Sequence, residues 1–305
     1  MSRLKPYDSG AIWIKARLFI NRALDADRDF HESAFWACSA LELLGKSALS
    51  RINPALIAMP TDDGRSLLIA SGVLDDYDGF LTVQAKTIWS RAAKAFRQFN
   101  ADEARELSIG RNAYIHSAAL GFEIFSPAEW WPRYWAQANV LIAHCGETLE
   151  DFVGEARARD VQAHLETNRA NLDRRSQALL DNAKLLLRLH QSHSLTGPMQ
   201  RQWALFSPGY ERYTTDIDCP ACDGVATVGG SEIASREVLY DPDPEAFEPT
   251  SVTLDVWTTS LWCNTCHLEL NDVDLLDAVG VSSGFRLEVG LDEVDDLYEP
   301  EYNNE

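Results

Sequence analysis

The sequence contains no long apolar run. No uncharged apolar stretch reaches the roughly 18 residues of a membrane-spanning helix, which argues against a transmembrane protein. The first ten residues, MSRLKPYDSG, also lack the apolar segment that a signal peptide needs. We therefore expect a cytoplasmic protein with no membrane contact.

Basic residues are scarce in the last third of the chain. Residues 1–196 carry 23 basic and 24 acidic side chains, whereas residues 197–305 carry 4 basic and 23 acidic ones and so account for nearly all of the net charge of −20. Because a polyanion would be repelled by this C-terminal region, any nucleic acid is expected to bind within residues 1–196. The acidic region and its tail are expected to recruit a protein partner or to pack within the chain.

The composition is otherwise that of a folded protein. Apolar residues make up 46% and charged residues 24% of the chain, which excludes the low-hydrophobicity class of disordered proteins. A length of 305 residues favours two or three domains over one.

Apolar residues recur at helical spacing through the first half of the chain. The pattern predicts two helices within residues 8–49, two more at about 82–99 and 103–119, and another that begins at Ser126-Pro127 and runs toward Phe152. Asn100 and Asp102 are expected to end one helix and to cap the next. Residues 61–80 are expected to form a loop with short helices at most.

Residues 155–190 are polar and Arg-rich, yet leucines recur seven residues apart in this segment, at Leu165, Leu172, Leu179 and Leu186. Such a repeat is typical of a coiled-coil seam, but the second apolar position of each heptad is mostly polar. Two interpretations stay open, namely self-association through the repeat or one long helix packed on its own chain.

Four of the six cysteines form two C-x-x-C pairs, Cys219/Cys222 and Cys263/Cys266. Four thiolates in two tight turns suit tetrahedral Zn²⁺ in a closed, structural site. Short β-prone runs such as Val225–Val228 and Phe285–Val289 accompany them, and residues 215–275 resemble a zinc ribbon. The redox interpretation of C-x-x-C is disfavoured because it needs one pair at the start of a helix.

The charged loop Asp241–Glu245 between the cysteine pairs is expected to be extended and solvated. We therefore predict a mainly α protein in three parts: a helical bundle over residues 1–152, a long helix and linker over 153–208, and a small β-rich zinc-ribbon domain with an acidic tail over 209–305.

The segment Arg111-Asn112-Ala113-Tyr114-Ile115-His116 carries groups suited to phosphodiester chemistry. A guanidinium neutralises phosphate charge, an imidazole moves protons near neutral pH, and the Asn112 amide can orient either partner. The chain has two further Arg-x4-His matches, at Arg159/His164 and Arg188/His193. Only the first lies in a half-apolar helix of the predicted bundle, whereas the charged surroundings of Arg159 favour a solvated face.

This segment resembles the R-x4-6-H motif of the HEPN superfamily, whose ribonuclease members often have Asn after the arginine. A second family feature, Glu followed four residues later by Lys, has a counterpart in Glu42 and Lys46, for which a simple ion pair on a helix face is the alternative. The resemblance covers about residues 10–150.

The resemblance implies a homodimer that cleaves RNA without a catalytic metal at a cleft shared by two Arg–His helices. Arg111 would bind the scissile phosphate, His116 would act as general acid or base, and Asn112 would orient one of them. It also implies a role in toxin, RNA-processing or anti-phage systems. The alternative is a non-catalytic HEPN adaptor that dimerises and presents the zinc ribbon to a protein partner. A zinc hydrolase is disfavoured because the sequence shows no open three-ligand set.

Aromatic residues cluster at Trp130, Trp131, Tyr134 and Trp135. These rings could stack on RNA bases, but core packing and dimer contact are the favoured interpretation for adjacent aromatics at the start of an amphipathic helix.

Overall fold

The computed structural model describes residues 4–118, 121–123, 125–240 and 249–290. The chain divides into two compact units, Met1–Ala170 and Asn171–Glu305. The predicted charged loop Asp241–Glu245 and the acidic tail after residue 290 both lie outside the described ranges. Within the described residues, no helix is both long enough and apolar enough to cross a bilayer.

The first unit is helical. It contains α1 (Ser9–Ala23), α2 (Phe30–Ile52), α3 (Arg65–Ala70), α4 (Ala85–Ala95), α5 (Ala101–His116), α6 (Pro127–His144), α7 (Leu149–Val153) and the first part of α8 (Glu155–Gln191), with short 3₁₀ turns at Pro54–Leu56 and Tyr77–Gly79. This unit confirms the predicted mainly α character of the first half of the chain.

Helix α2 lies at the centre of this unit and packs against α1, α4, α5 and α6. Its buried face carries Ala37, Leu41, Leu44 and Ala48 at steps of three and four residues, the spacing of one helix face. Gly45 permits the close approach of α4, because a Cβ there would lie 2.7 Å from Ile88 Cγ2. The long apolar helix α2 therefore fixes the position of α5, which carries the Arg–His motif.

Local capping signals set the starts of α5 and α6. The side chain of Asn100 accepts hydrogen bonds from the backbone N–H groups of Asp102 and Glu103, both at 3.0 Å, so Asn100 is the N-cap. The sequence-based assignment of that cap to Asp102 was therefore wrong. Ser126 caps α6 in a capping box with Glu129, and Pro127 occupies the first turn, as the Ser-Pro pair predicted.

The segment predicted as one helix from Ser126 toward Phe152 consists of two helices, α6 and α7. Gly146 follows the end of α6 with φ of 72°, a left-handed conformation that glycine adopts without steric cost and that ends a helix. Thr148 then caps α7 through its hydroxyl and the Asp151 carboxylate. The prediction missed this break because the apolar spacing continues across it.

Three of the four heptad leucines of the long helix α8 pack on the core of the unit to which they belong. Leu165 packs against the core of the first unit. Leu172 and Leu179 pack against the cysteine-containing core of the second unit. These contacts favour the interpretation of a long helix packed on its own chain over a coiled-coil seam.

The described part of the second unit contains the last part of α8, α9 (Gly197–Ala204), α10 (Val273–Ala278) and seven strands. The strands are β1 (Tyr213–Asp218), β2 (Val225–Gly230), β3 (Ile233–Tyr240), β4 (Pro249–Trp257), β5 (Ser260–Trp262), β6 (Glu269–Leu270) and β7 (Gly284–Val289). They form two antiparallel sheets of order β1-β2-β5-β6 and β3-β4-β7. The first sheet carries both cysteine pairs.

Candidate functional sites

The two cysteine turns meet at one edge of the first sheet. Cys219 and Cys222 lie in the turn between β1 and β2, and Cys263 and Cys266 lie in the turn between β5 and β6. Strand β2 pairs with β5 so that Thr227 is opposite Trp262. Because β2 has just begun and β5 ends at this pair, the two turns are brought together.

The two turns share the same backbone conformation. The N–H of Asp223 donates to the carbonyl of Cys219 at 3.0 Å, and the N–H of His267 donates to the carbonyl of Cys263 at 2.8 Å. Both donors directly follow the second cysteine of their pair, and both have positive φ, 56° and 59°. Two equivalent turns present four sulfurs to one point, which is consistent with the predicted zinc ribbon.

The sulfur spacing fits a metal. All four Sγ atoms lie within 4.8 Å of one another. The Cys219–Cys266 and Cys222–Cys263 separations are 3.6 and 3.7 Å. A tetrahedral Zn²⁺ with bonds of about 2.3 Å requires sulfurs about 3.8 Å apart. The four residues could therefore hold one such ion with little movement.

His267 directly follows Cys266 and is packed among aromatic rings. Its ring is stacked between Trp203 and Phe206, with centroid distances of 3.8 and 4.2 Å, and it is half-buried. Burial lowers the pKa of this imidazole, and nearby His190 lowers it further. The aromatic residues that pack on His267 lie much earlier in the sequence, in and beside α9, so no pattern near His267 predicts this packing.

The Arg–His motif occupies the C-terminal half of α5. Arg111 is half-buried, whereas Asn112 and His116 are exposed, and His116 is the last residue of the helix. A spacing of five residues separates two side chains by about 140° around a helix axis. Among the described residues, no hydrogen bond or ion pair joins Arg111 to His116 of the same chain.

Arg111 instead contacts Glu42 on α2. Its Nη1 donates to Glu42 Oε2, and Lys46 Nζ lies 2.8 Å from Glu42 Oε1. The three side chains are only 15–20% exposed. The Glu42–Lys46 pattern and the Arg–His motif, which are far apart in the sequence, thus meet in one charged cluster that we call the Glu42 cluster (Glu42, Lys46 and Arg111).

Two opposing effects act on the Glu42 carboxyl. Burial by itself raises its pKa, but the charges and hydrogen bonds of Lys46 and Arg111 outweigh burial, so the pKa of Glu42 lies below its usual value. Two cations share one carboxylate, which leaves the Glu42 cluster with a net positive charge at neutral pH. Most N–H donors of the Arg111 guanidinium are not needed for its contact with Glu42.

A buried thiol and a tight backbone contact hold the adjoining turn of α5. Cys38 Sγ on α2 lies 3.3 Å from the Leu107 carbonyl, and burial raises the pKa of this thiol to about 12. A Cβ at Gly110 would lie 2.6 Å from the carbonyl oxygen of Gly121. The glycine beside Arg111 is therefore required for the chain that follows α5 to pack back on the helix. Helix α5 ends at His116, before the predicted end at about residue 119, which lies outside the described ranges.

The two other Arg-x4-His matches have different surroundings. Arg159 is exposed on α8, as its charged neighbourhood predicted. His164 is half-buried near Trp131, with ring centroids 6.5 Å apart. His193 lies beyond the end of α8 with φ of 54°, so Arg188 and His193 do not share a helix.

The aromatic cluster of α6 is mostly core. Trp130, Tyr134 and Trp135 are at most 1% exposed, and the Tyr134 hydroxyl donates to the Ala37 carbonyl at 3.0 Å. Only Trp131 is half-buried. This packing agrees with the favoured interpretation and leaves little of the cluster for RNA bases.

Comparison of the chain with protein families, with curated proteins and with solved structures found no match.

Proposed function

We propose that this protein is a HEPN-type endoribonuclease that acts as a homodimer and cleaves single-stranded or loop RNA. The observation that carries the proposal is the contact of Arg111 with Glu42, on a helix whose outer face exposes Asn112 and His116. The Arg–His motif and the Glu42–Lys46 pattern, which both resemble the family, lie far apart in the sequence, and their contact supports the resemblance.

In this mechanism Arg111 binds the scissile phosphate. Glu42 holds one side of the guanidinium, and the remaining N–H groups point their charge at phosphate oxygens as negative charge develops. A guanidinium fixed before substrate arrives loses little side-chain freedom on binding, so more of the contact energy stabilises the transition state.

His116 would move the protons. An imidazole accepts the proton of the ribose 2′-OH, the O2′ atom attacks phosphorus, and the bond to the 5′ oxygen breaks. The leaving oxygen takes a proton from a second acid, for which His116 of the second copy is suited. The products are a 2′,3′-cyclic phosphate and a 5′-OH, and Asn112 orients the imidazole or a phosphate oxygen.

A second copy is needed because one helix cannot direct both groups to one point. Ile109 and Ile115 are 55% and 52% exposed on either side of Asn112, and apolar side chains of this size favour a subunit contact. Two α5 helices near a two-fold axis would bring Arg111 of each copy toward His116 of the other.

The cysteine cluster would bind one structural Zn²⁺. Its four sulfurs leave no open coordination position, so this ion would stabilise the second unit and take no part in cleavage. A role in a toxin or anti-phage system follows from the resemblance, with the acidic C-terminal region as the surface for a protein partner.

One observation favours the alternative, a non-catalytic adaptor that presents the zinc ribbon. The Arg111 guanidinium already has a carboxylate partner, so the Glu42 cluster could serve only to hold α2 and α5 together. In that case the charged groups would stabilise the bundle and no RNA would be cut.

The deciding experiment incubates the purified protein with total RNA, with and without a chelator, beside the Arg111→Ala/His116→Ala double variant. We expect cleavage by the native protein in both conditions, 2′,3′-cyclic phosphate ends, and no cleavage by the variant. Equal cleavage by the variant would refute the site, and absence of cleavage by either protein would favour the adaptor.

A further inference from the structure

A row of half-buried aromatic rings runs from the Arg–His helix across α2 to α1. Tyr114 packs on Phe35 with ring centroids 5.6 Å apart, and Phe35 packs on Trp36 at 5.4 Å. Trp36 in turn contacts Phe19 at 5.2 Å. We call these four residues the aromatic row; all of them are half-buried, unlike Trp130, Tyr134 and Trp135 of α6, which are buried.

Cations lie over the far end of the aromatic row. The guanidinium of Arg22 lies 5.0 Å from the centroid of the Trp36 ring, and Lys15 Nζ lies 5.8 Å from that of Phe19. Both cations are exposed, and neither forms an ion pair with a described residue. Lys15, Phe19 and Arg22 are spaced by four and three residues and therefore share one face of α1.

The acidic side chains beside the aromatic row already form ion pairs with basic side chains. Glu32 accepts from Arg28 and, at 3.4 Å, from the Trp36 indole N–H. Glu42 is shared by Lys46 and Arg111. The row thus ends near Arg111 on one side and near two cations on the other, without an unpaired carboxylate in these contacts.

We propose that the aromatic row stacks on the unpaired bases of single-stranded RNA while Lys15 and Arg22 bind its phosphates. Partly exposed rings bordered by cations are the combination that binds single strands without base-specific readout, because every base has a flat face and a phosphate. Bases inside a duplex are not available for such stacking.

The position of Tyr114 indicates the direction in which a bound RNA strand would continue. It lies three residues after Arg111, so the near end of the row is within one helical turn of the phosphate-binding residue. A strand on the row would place its next phosphate at Arg111. The inference rests on the proposed ribonuclease function, since it names the substrate track of that site.

The test measures binding of a labelled oligouridine by fluorescence anisotropy, in the full chain carrying His116→Ala so that the RNA stays intact. In this background Trp36→Leu should weaken binding roughly 5- to 100-fold, the range for loss of one stacked base, whereas Trp36→Phe should retain most of it. Arg22→Gln should weaken binding and flatten its salt dependence by about 0.7 in the logarithmic slope.

Two matched controls distinguish the loss of base stacking from a general loss of folded structure. Trp131→Leu removes the half-buried tryptophan of α6, and Arg17→Gln removes an exposed arginine of the same helix as Arg22. Both should bind oligouridine like the parent. Thermal unfolding of each variant shows that it is folded, and Arg22→Gln, an exposed substitution, keeps the test valid if Trp36→Leu fails to fold.

Three results would overturn the inference. They are unchanged affinity in both Trp36→Leu and Arg22→Gln, equal affinity for duplex and single-stranded RNA, or conversion of a dimer to a monomer by Trp36→Leu, which would assign the row to a subunit interface. The proposed function fails separately. If no RNA is cut but binding depends on Trp36, the aromatic row binds RNA and the ribonuclease proposal is wrong. If RNA is cut but binding does not depend on Trp36, the aromatic row is not the substrate-binding surface and the ribonuclease proposal is retained.

Discussion

Arg111 on α5 forms an ion pair with Glu42 on α2, 69 residues away in the sequence. The same carboxylate binds Lys46 one turn further along α2. The contact joins the helix that carries the Arg–His motif to the central helix of the bundle. It holds the guanidinium in place, and its loss should affect both stability and phosphate binding.

Glu42→Gln should lower the free energy of unfolding by about 1–2 kcal/mol at pH 7, because it leaves two half-buried cations without their carboxylate. The folded-state pKa of Glu42 is depressed, so its stabilisation is present above the ordinary value of 4.5 and is lost as the pH falls through the lower folded value. Urea unfolding at pH 7 and below pH 4.5 should show the difference shrinking in acid. Glu166→Gln, an exposed change on α8, should be neutral at both pH values.

Single substitutions at Arg111 and His116 should each reduce RNA cleavage by about a hundredfold or more. The first removes charge stabilisation and the second removes proton transfer, and each effect is typically of that size. Initial rates on a fluorescent oligonucleotide provide the measurement. Arg159→Ala and His164→Ala, at the competing match, should retain most activity; if they lose as much as the first pair, the motif assignment is mistaken.

Ile109→Glu should convert the proposed dimer to a 34.1 kDa monomer, because two carboxylates would be buried in the proposed subunit contact along α5. Light scattering at micromolar concentration measures the mass, and cleavage should fall in parallel. Leu67→Glu introduces the same charge at an exposed leucine of α3 and should leave the dimer intact. A native protein that is monomeric, or a dimer that survives Ile109→Glu, contradicts this arrangement.

The native protein should contain one Zn²⁺ per chain, and Cys219→Ser should lower this content sharply, since a serine hydroxyl replaces a thiolate poorly as a ligand. Elemental analysis gives the stoichiometry. Cys145→Ser removes a cysteine outside the cluster and should keep the full metal content. A native protein without metal would rule out the site.

Alkylation after chelation should distinguish the two classes of cysteine. The four cysteines of the cluster should react with iodoacetamide once zinc is removed. Cys38 and Cys145 are 0% and 3% exposed, and burial raises the pKa of both thiols, that of Cys38 to about 12, so neither forms the reactive thiolate readily at pH 8. Mass spectrometry should find both unmodified until the protein is denatured. Early modification of Cys38 would show that the first unit opens when the metal leaves.

Short-range patterns in the sequence determined most of the helices, the cap at Ser126 and the cysteine turns. Apolar spacing predicted α2 and α8, Ser126-Pro127 predicted the start of α6, and the C-x-x-C pairs predicted the sulfur cluster. Each helix, each helix start and each C-x-x-C turn depends on residues a few positions apart, whose relative placement is fixed by helix or turn geometry. The break at Gly146 was missed because apolar periodicity alone does not reveal a change of backbone conformation.

Only the tertiary structure decided which distant groups meet. The pairing of Arg111 with Glu42, the aromatic row from Tyr114 to Phe19, and the stacking of His267 on Trp203 all join elements that are remote along the chain. Such contacts depend on how helices pack around α2 and on where two sheet turns converge. The physical reason is that side-chain spacing fixes the face a residue occupies, whereas the packing of one element against another selects what that face touches.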